Sequence, residues 1–420
     1  MSFPRIVLSS RPNCILYKDI ENMRRKIATF FVVLCSAMMS VASLKTDSLR
    51  FSLLTCEPGE LVYELFGHTA IRCQNFTRGT DIVYNYGMFD FDTPNFIMRF
   101  VRGETDYELG VVPFKQFVQQ YAWRGSAVIE QELRLDSYEA MRLDSLLKDN
   151  YLPENRVYRY NYFYDNCTSR ARDRIEDAMG GRVIYPPGVK GATFRGWVRQ
   201  YTHTHPWADF GIGLCLGAEA DRPINGRSQM FLPDNLRQAI NHATVHGGSE
   251  IPIRKLTKQE KKILPSLKEE NENNCSILFT PMSTALCLLT LVLTCCILEW
   301  RRKKIWWGID LLLFALQGLA GCVIAFLFFF STHPTVGSNY LLIIFNPLPL
   351  LALPWMIKRI RKGKKCLYDW INILVLALFI ILLPLIPQKI SLVVVPLVLN
   401  LLIRSILHLV VVHKKGLYKK

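Results

Sequence analysis

The sequence predicts an exported α+β domain followed by an all-α transmembrane bundle of about five helices. Three features support this fold class: a leader-like segment near the N-terminus, a middle region that mixes strand and helix patterns, and long apolar segments beyond residue 275. A chain of 420 residues has room for two or three domains. The predicted elements follow in chain order.

The first predicted element is an export segment. The stretch MRRKIATFFVVLCSAMMSVAS, Met23–Ser43, has a basic start, an apolar centre and an end rich in small residues, which is the pattern of a secretory signal. Residues 1–43 are therefore predicted to be a signal or an uncleaved anchor, with Met23 as the candidate true start. Cleavage is expected after Ser43. Residues 44–255 then form an extracytoplasmic domain.

The middle region alternates strand and helix patterns. LRFSLLTCEPGELVYELFGHTAIRC reads as two strands around a Pro-Gly turn, and TDIVYNYGMFDF and AVIEQELRLD as further strands. SYEAMRLDSLLKDNYL is a predicted helix with Ser137 as its N-cap, and a second helix runs from Cys167 to the Gly180-Gly181 pair. This mixture indicates an α+β domain. The charged stretch 256–275 is predicted to be a linker to the membrane.

Residues 276–420 are predicted to form the transmembrane domain. Five segments are apolar over the roughly 20 residues that a bilayer requires: Ile277–Leu298, Ile305–Phe330, Tyr340–Met356, Trp370–Pro387 and Ile390–Val412. The third and fourth segments carry prolines, which predict kinks or re-entrant stretches there. Tyr340–Met356 contains three prolines and is the least regular of the five predicted spans.

The positive charge lies among these apolar segments. The chain has a formal net charge of +16, and from Ser276 onward 16 Lys and Arg face three acidic residues. A nucleic-acid-binding protein would carry such charge on a folded polar domain, so no nucleic-acid partner is predicted. The basic clusters Arg301–Lys304, Lys358–Lys365 and His413–Lys420 follow alternate spans, which places them and the C-terminus in the cytoplasm.

The extracytoplasmic domain contains four cysteines: Cys56, Cys73, Cys167 and Cys215. An oxidising compartment permits disulfides, and Cys56 with Cys73 is one candidate pair. The sequence alone does not assign the pairing.

Cys167 is the candidate nucleophile. It follows two good N-cap residues, Asp165 and Asn166, and so falls in the first turn of a helix. Free amide groups and the helix dipole favour an anion there, which lowers a thiol pKa. The alternative is that Cys167 is only a packed residue, since it shares a helix face with Ala171, Ile175 and Ala178.

A nucleophilic thiol requires a base, and His68 in FGHTAIRC is the best candidate. Strand alternation places His68 on the less apolar face of its strand, where a cleft is expected. Asn85 in VYNYG is the candidate third group that orients the imidazole, with Tyr164 and Asp165 as other candidates. The alternative for His68 is a hydrogen-bonded structural histidine.

The Cys167 N–H is expected to stabilise an oxyanion, and Tyr164, Asp165 and Asn166 are expected to contact the oxyanion or the substrate. His203 and His205 in HTHP have no evident third ligand, so neither a metal nor another cofactor is predicted.

Several blocks resemble the Lnb-type lipoprotein N-acyltransferase family: ELFGHTAIRC, IVYNYGMFDF, YNYFYDNCTSRARDRIE, GLCLGAEADRP and FLPDNLRQAI. The order of His before Cys is also similar to circularly permuted papain-like (NlpC-like) thiol enzymes. The resemblance implies that residues 44–255 are a permuted papain-like catalytic domain in the periplasm. It also implies an acyltransferase of the bacterial inner membrane.

The implied reaction moves an acyl chain, from the sn-2 position of a lipoprotein's diacylglyceryl group, to the α-amine of its N-terminal cysteine. An acyl-thioester on Cys167 would be the intermediate. Diacylated lipoproteins and membrane lipid are the implied partners. Two alternatives remain open at this point: a membrane-tethered cysteine peptidase or hydrolase of cell-wall peptides, and a non-catalytic envelope protein.

Overall fold

The computed structural model describes residues 23–30, 48–247, 253–267 and 279–417. The chain divides into two compact units, Met1–Ser48 and Leu49–Lys420. In the first unit, residues 23–30 form helix α1. The rest of the predicted export segment, including the expected cleavage position, lies outside the described residues.

Ten strands in the described part of the chain form two sheets. They are β1 (Leu49–Cys56), β2 (His68–Asn75), β3 (Thr80–Met88), β4 (Asp106–Pro113), β5 (Val128–Leu133), β6 (Val157–Arg159), β7 (Val183–Ile184), β8 (Thr244–Val245), β9 (Arg254–Lys255) and β10 (Thr257–Leu264). Seven of them form an antiparallel sheet in the order β10-β5-β1-β2-β3-β4-β6. The other three form a small antiparallel sheet, β7-β8-β9.

Eight helices accompany the sheets in residues 48–267. They are α2 (Phe96–Arg102), α3 (Phe114–Trp123), α4 (Ser137–Tyr151), α5 (Cys167–Ala178), α6 (Phe194–Thr202), α7 (Pro206–Cys215), α8 (Gly226–Gln229) and α9 (Pro233–His242). The predicted mixture of sheet and helix is therefore confirmed.

Helices cover both faces of the large sheet. Leu143 of α4, Ala171 of α5 and Leu236 of α9 are fully buried on one face. Phe117 of α3 packs with Ala70 of β2 on the other. Burying each Leu or Phe side chain contributes roughly 2 kcal/mol, so both faces are core. As expected, the two faces of β2 differ: Thr69, Ile71 and Cys73 are buried on one face, whereas His68, Arg72 and Gln74 on the other are only half-buried.

The helix α4 begins one residue earlier than predicted. Its N-cap is Asp136, whose Oδ1 accepts a hydrogen bond from the Glu139 N–H at 2.8 Å. The Glu139 carboxylate accepts one in return from the Asp136 N–H at 2.9 Å. This reciprocal capping box satisfies two helix-end amides, which a Ser137 cap would not have achieved in this register.

The predicted linker 256–275 was wrong over its first half. Thr257–Leu264 is strand β10, paired antiparallel with β5 at the edge of the large sheet. Lys258 forms a 2.7 Å ion pair with Glu132 of the neighbouring strand, and Lys261 lies opposite Glu130. Charged side chains are usual on an edge strand, and their density resembles a linker in the sequence.

The candidate disulfide between Cys56 and Cys73 was also wrong. Cys56 lies opposite His68 in the β1–β2 ladder, whereas Cys73 lies opposite Phe51. Five residues along a strand separate two positions by about 17 Å, far beyond the reach of a disulfide. Both cysteines are free thiols.

Five helical segments in residues 279–417 are long and apolar enough to span a membrane, which confirms the predicted number: Pro281–Arg302, Trp307–Phe330, Tyr340–Arg361, Leu367–Leu385 and Val394–Val411. Their helices are α10 (Pro281–Arg302), α11 (Trp307–Phe330), α12 (Leu348–Arg361), α13 (Leu367–Leu382) and α14 (Val394–Leu417). In the third span a 3-10 turn, Tyr340–Ile343, precedes α12, which begins after Pro347.

The sheet domain is joined to one end of this bundle by polar contacts. Two of these contacts come from different loops. The Gly217 N–H donates to Thr335 O at 2.7 Å in the loop after α11, and Gln388 Nε2 donates to Leu216 O at 2.9 Å from the loop after α13. The basic clusters Arg301–Lys304 and Lys358–Lys365 lie at the other end of the bundle, where α10 connects to α11 and α12 to α13.

Candidate active site

Cys167 is the first residue of α5, and the cap of that helix determines its position. The Asn166 Oδ1 accepts hydrogen bonds from the N–H groups of Thr168 and Ser169, both at 2.9 Å. The Asn166 Nδ2 donates to Tyr162 O and Phe231 O. The cap therefore fixes the direction in which the chain enters the helix, and with it the Cys167 thiol.

His68 and Asn85 come from the neighbouring strands β2 and β3. His68 Nε2 lies 2.5 Å from Asn85 Oδ1. Since an amide oxygen only accepts, Nε2 carries the proton in this pair and Nδ1 is the nitrogen available to the thiol. Thr69 Oγ1 is 3.1 Å from Thr168 Oγ1, which ties β2 to the first turn of α5. The sheet thus brings the imidazole beside the cysteine.

The thiol and the imidazole shift each other's pKa. Burial opposes ionisation of Cys167, but the charge and hydrogen bond of His68, the Thr69 N–H and the Thr168 hydroxyl together lower the thiol pKa to about 7. Burial likewise opposes protonation of His68, and the charge and hydrogen bond of Cys167, with Asn85, raise its pKa above the ordinary value. The pair favours a thiolate beside an imidazolium, which is the reactive form of a cysteine nucleophile.

Cys167 adjoins the core without being sealed in it. Ala171, Ile175 and Ala178 on its helix face are fully buried, whereas Cys167 is half-buried. Gly87 of β3 leaves room beside it, because a Cβ at Gly87 would lie 3.6 Å from Cys167 Cβ. Gly87 also has a φ of +84°, which favours glycine. Packing alone does not account for this position.

A cleft of about 360 Å³ opens at His68, Asn85 and Gly87. Its lining has a polar part, which includes Glu57, Glu64, Gln120, Arg124 and Ser126. It also has an apolar part, which includes Tyr63, Met88, Phe89, Phe91 and Val112. A substrate with both a polar group and an apolar chain fits such a lining.

The structure places the three other predicted site residues away from this contact. The Tyr164 ring is partly exposed and packs on Phe194. The Asp165 carboxylate is held by Arg170 through two hydrogen bonds of 2.7 and 2.8 Å. The Asn166 side chain is the helix cap. Their side chains therefore have structural partners, whereas the Cys167 N–H has no acceptor among the described residues and remains available to an oxyanion.

Sequence reasoning missed Thr69, Gly87, Tyr107 and Tyr158, which also surround the thiol. Tyr158 Oη is buried without a hydrogen-bond partner among the described residues. The charge of Cys167 adds to burial in raising the pKa of Tyr107 and Tyr158. The density of tyrosines in VYRYNYFY was a usable signal, but only the fold shows which rings face Cys167.

In the described parts of the chain, no three His, Cys, Asp or Glu residues are grouped so that they could hold a metal ion. His203 and His205 make local contacts instead. His203 Nδ1 lies 2.7 Å from Gln200 O, and His205 Nδ1 lies 3.0 Å from Thr204 Oγ1.

Comparison with protein families gives two matches. Residues 38–190 match the model of the Lnb N-terminal periplasmic domain. Residues 270–416 match the model of the Lnb transmembrane domain. Together the two models cover the strands and helices that form the thiol site and the five candidate spans. Comparisons with curated proteins and with solved structures find no match.

Proposed function

The chain belongs to the Lnb family, and from this premise we propose that it is a membrane-bound lipoprotein acyltransferase with Cys167 as its nucleophile. The single observation that carries the proposal is the cluster of Cys167, His68 and Asn85, with the thiol pKa lowered to about 7 beside an amphiphilic cleft. The acyl donor is the diacylglyceryl group of a lipoprotein, at its sn-2 ester. The acceptor is the α-amine of the lipoprotein's N-terminal cysteine.

In the first half-reaction the Cys167 thiolate attacks the ester carbonyl carbon. The Cys167 N–H is positioned to donate to the resulting oxyanion at the start of α5. Collapse breaks the bond between the carbonyl carbon and the glycerol oxygen, which takes its proton from the His68 imidazolium. The products are an acyl-thioester on Cys167 and a lyso-lipoprotein with a free hydroxyl.

In the second half-reaction the neutral α-amine attacks the thioester carbonyl. His68, now neutral, accepts the proton that the amine loses. The carbon–sulfur bond breaks, an amide forms, and the thiolate beside the imidazolium is restored. Asn85 acts as a positioning residue throughout, because its Oδ1 keeps the His68 Nε2 proton turned away from the thiol.

The membrane domain favours acyl transfer within a lipid-anchored substrate. A lipoprotein ester lies at the bilayer surface, and tethering the thiol there replaces a search in three dimensions with proximity. We place the domain in the periplasm above the bacterial inner membrane, with the basic clusters and the C-terminus in the cytoplasm. The contacts of the loops after α11 and α13 with the sheet domain support this orientation.

We also propose a permuted papain-like arrangement for the domain. His68 and Asn85 lie on strands that precede the helix of Cys167, and the thiol begins that helix. In an ordinary papain-like order the cysteine helix comes first. This proposal concerns only the order along the chain of the two strands and the cysteine helix, and the reaction described above does not depend on that order.

The test is a transfer assay with Cys167→Ala in full-length protein. We expect N-acylation of a reporter lipoprotein to be abolished, with export and membrane insertion unchanged, because no other group near His68 forms the thioester. Cys215→Ala, which changes a half-buried cysteine at the end of α7, is the matched control. Mass spectrometry of the reporter N-terminus measures the product. Full N-acylation by the Cys167 variant would refute the mechanism, and release of free fatty acid or cleaved cell-wall peptide would instead favour a hydrolase.

A further inference from the structure

The short helix α2 is an apolar element of the sheet domain that the mechanism does not use. It buries none of its seven residues. Ile97 is 77% exposed and Met98 is 52% exposed, and Phe100 is also exposed. Three neighbouring apolar side chains that are exposed to water do not stabilise a domain. Such a surface usually marks a site that binds another protein or a membrane.

Three contacts fix α2 to the end of the second membrane span. Ser331 Oγ donates to Val101 O at 2.7 Å, and the Thr332 N–H donates to Arg102 O at 2.9 Å. His333 Nε2 lies 3.1 Å from Phe100 O. These three residues directly follow Phe330, where α11 ends. The helix α2 therefore lies at the level where the second span leaves the bilayer.

An unbroken series of aromatic rings connects this point with the cleft. Ring centroids are 6.2 Å apart for His333 and Phe100, 6.4 Å for Phe100 and Phe96, 5.1 Å for Phe96 and Phe91, and 5.8 Å for Phe91 and Tyr63. Tyr63 and Phe91 line the cleft that contains His68. The exposed apolar surface at the membrane and the apolar part of the cleft are thus continuous.

A branch of the same series reaches the thiol. Phe89 stacks on Tyr107 with centroids 4.8 Å apart. Both Tyr107 and Cys167 flank Gly87, since a Cβ at Gly87 would lie 3.9 Å from Tyr107 Cδ2 and 3.6 Å from Cys167 Cβ. An acyl chain that followed the rings would bring its ester to the nucleophile.

The charges of α2 suit the bilayer surface. Arg99 and Arg102 occupy its last turn and pair with Asp106 at 2.8 Å and Glu104 at 2.7 Å. Both side chains are at least one-third exposed. Long basic side chains on a helix with an opposite apolar face reach the headgroup region while the apolar face enters the acyl boundary.

We propose that an apolar edge, formed by Phe91, Phe96, Ile97, Met98 and Phe100, inserts into the outer leaflet and guides fatty acyl chains of the lipid substrate from the bilayer into the cleft beside Cys167. This inference rests on the proposed acyl transfer and adds the route by which the lipid arrives. The occupant is the acyl chain region of the leaflet, because the edge is joined to the outer end of a membrane span.

The first experiment compares two substrates with full-length protein in vesicles. One is a diacylated lipoprotein peptide in a phospholipid bilayer, and the other is p-nitrophenyl acetate, a soluble ester that acylates a thiol without passing the bilayer. For Met98→Glu we expect the ratio of the lipid rate to the soluble rate to fall about tenfold or more, because a carboxylate opposes insertion of the edge. Met98→Leu should keep the ratio.

Met141→Glu is the matched control. Met141 lies on α4, carries the same side chain at 43% exposure, and is not part of the aromatic series. It should leave both rates unchanged. An unchanged ratio in Met98→Glu would overturn the inference. If the ratio is unchanged because both rates fall equally, α2 contributes to the integrity of the site and not to lipid entry. Failure of the wild-type protein to transfer any acyl group would instead refute the proposed function.

A second experiment locates the edge directly. A diazirine amino acid at position 97 or 141 is photolysed in the same vesicles, and adducts are identified by mass spectrometry. Lipid adducts at position 97 and their absence at position 141 are expected. Adducts at position 97 with protein only, whether a second copy or another protein, would overturn the inference.

Discussion

The reactivity of Cys167 depends on one neighbouring side chain. Burial alone would raise the thiol pKa, and the charge and hydrogen bond of His68 reverse that effect. The same contact raises the pKa of His68, so the thiolate and the imidazolium stabilise each other. A nucleophile and its base are thereby prepared before any substrate arrives.

The first prediction concerns the pH dependence of Cys167 alkylation by iodoacetamide, followed by peptide mass spectrometry. In the wild-type protein the rate should rise with a midpoint near pH 7, because only the thiolate reacts. In His68→Gln the cation is lost and burial dominates, so the midpoint should move above the ordinary value of 9.0. At pH 7 the rate should fall at least about 50-fold. An unchanged midpoint would show that His68 does not stabilise the thiolate.

The second prediction concerns Asn85, which holds His68 Nε2 at 2.5 Å. Asn85→Ala frees the ring and should lower the rate of transfer about 10- to 100-fold with little change in KM, since misplacement of a catalytic base affects mainly the chemical step. Asn85→Asp keeps an acceptor oxygen and should recover most of the rate. Equal loss in both variants would argue against a positioning role.

At the scale of elements, the start of α4 joins the two sheets. Glu139 is fully buried in the capping box and pairs with Arg182 at 2.7 Å and with Arg254, which lies on β9 next to β10. One carboxylate thus caps a helix and holds the segment that leads into the edge strand. The charged sequence of β10 gives no local sign of this anchoring.

The third prediction follows from Glu139. Glu139→Ala removes the return bond of the capping box and leaves two arginines without their partner, which should cost about 2–4 kcal/mol of unfolding free energy. Thermal unfolding of the detergent-solubilised full chain measures this loss. Glu154→Ala, at an exposed acidic residue, is the control and should have little effect. Similar unfolding temperatures for the two variants would contradict the assignment.

At the scale of the whole molecule, the two ends of the membrane bundle differ. One end contacts the sheet domain, and the other contains a buried ionic cluster. There Arg404 of α14 donates to Asp310 at 2.7 and 2.8 Å and to Glu299. His408, one turn further along α14, lies 3.0 Å from Asp369. The cluster joins α10, α11, α13 and α14 at the end opposite the thiol.

The fourth prediction concerns this cluster. Arg404→Leu leaves the Glu299 carboxylate buried without a counter-charge and leaves Asp310 with His408 alone, whose Nε2 lies 3.0 Å away, and it should cost about 3–5 kcal/mol of bundle stability. Combining it with Glu299→Gln and Asp310→Asn should recover much of the loss, because no uncompensated charge then remains. Thermal unfolding in detergent compares the three proteins. A single variant as stable as the wild type would mean that the cluster is hydrated and contributes little.

The sequence by itself determined the features that depend on neighbouring residues. A membrane span needs only about 20 consecutive apolar residues, so the five spans were predictable, including the proline-broken third. The helix start at Cys167 was predictable because Asn166 caps it locally. His68 and Asn85 were identified as candidates by residue type, and the family was recognised from the blocks around His68 and Cys167.

Only the tertiary structure decided which side chains meet. Pairing of β2 with β3 brings Asn85 to His68. The Asn166 side chain instead caps α5, and the Asp165 carboxylate pairs with Arg170. Pairing with β5 makes a strand of Thr257–Leu264, and the strand register separates Cys56 from Cys73. Local patterns are set by the chain's own dihedral angles and solvent preference, whereas these contacts depend on surfaces formed by residues far apart in sequence.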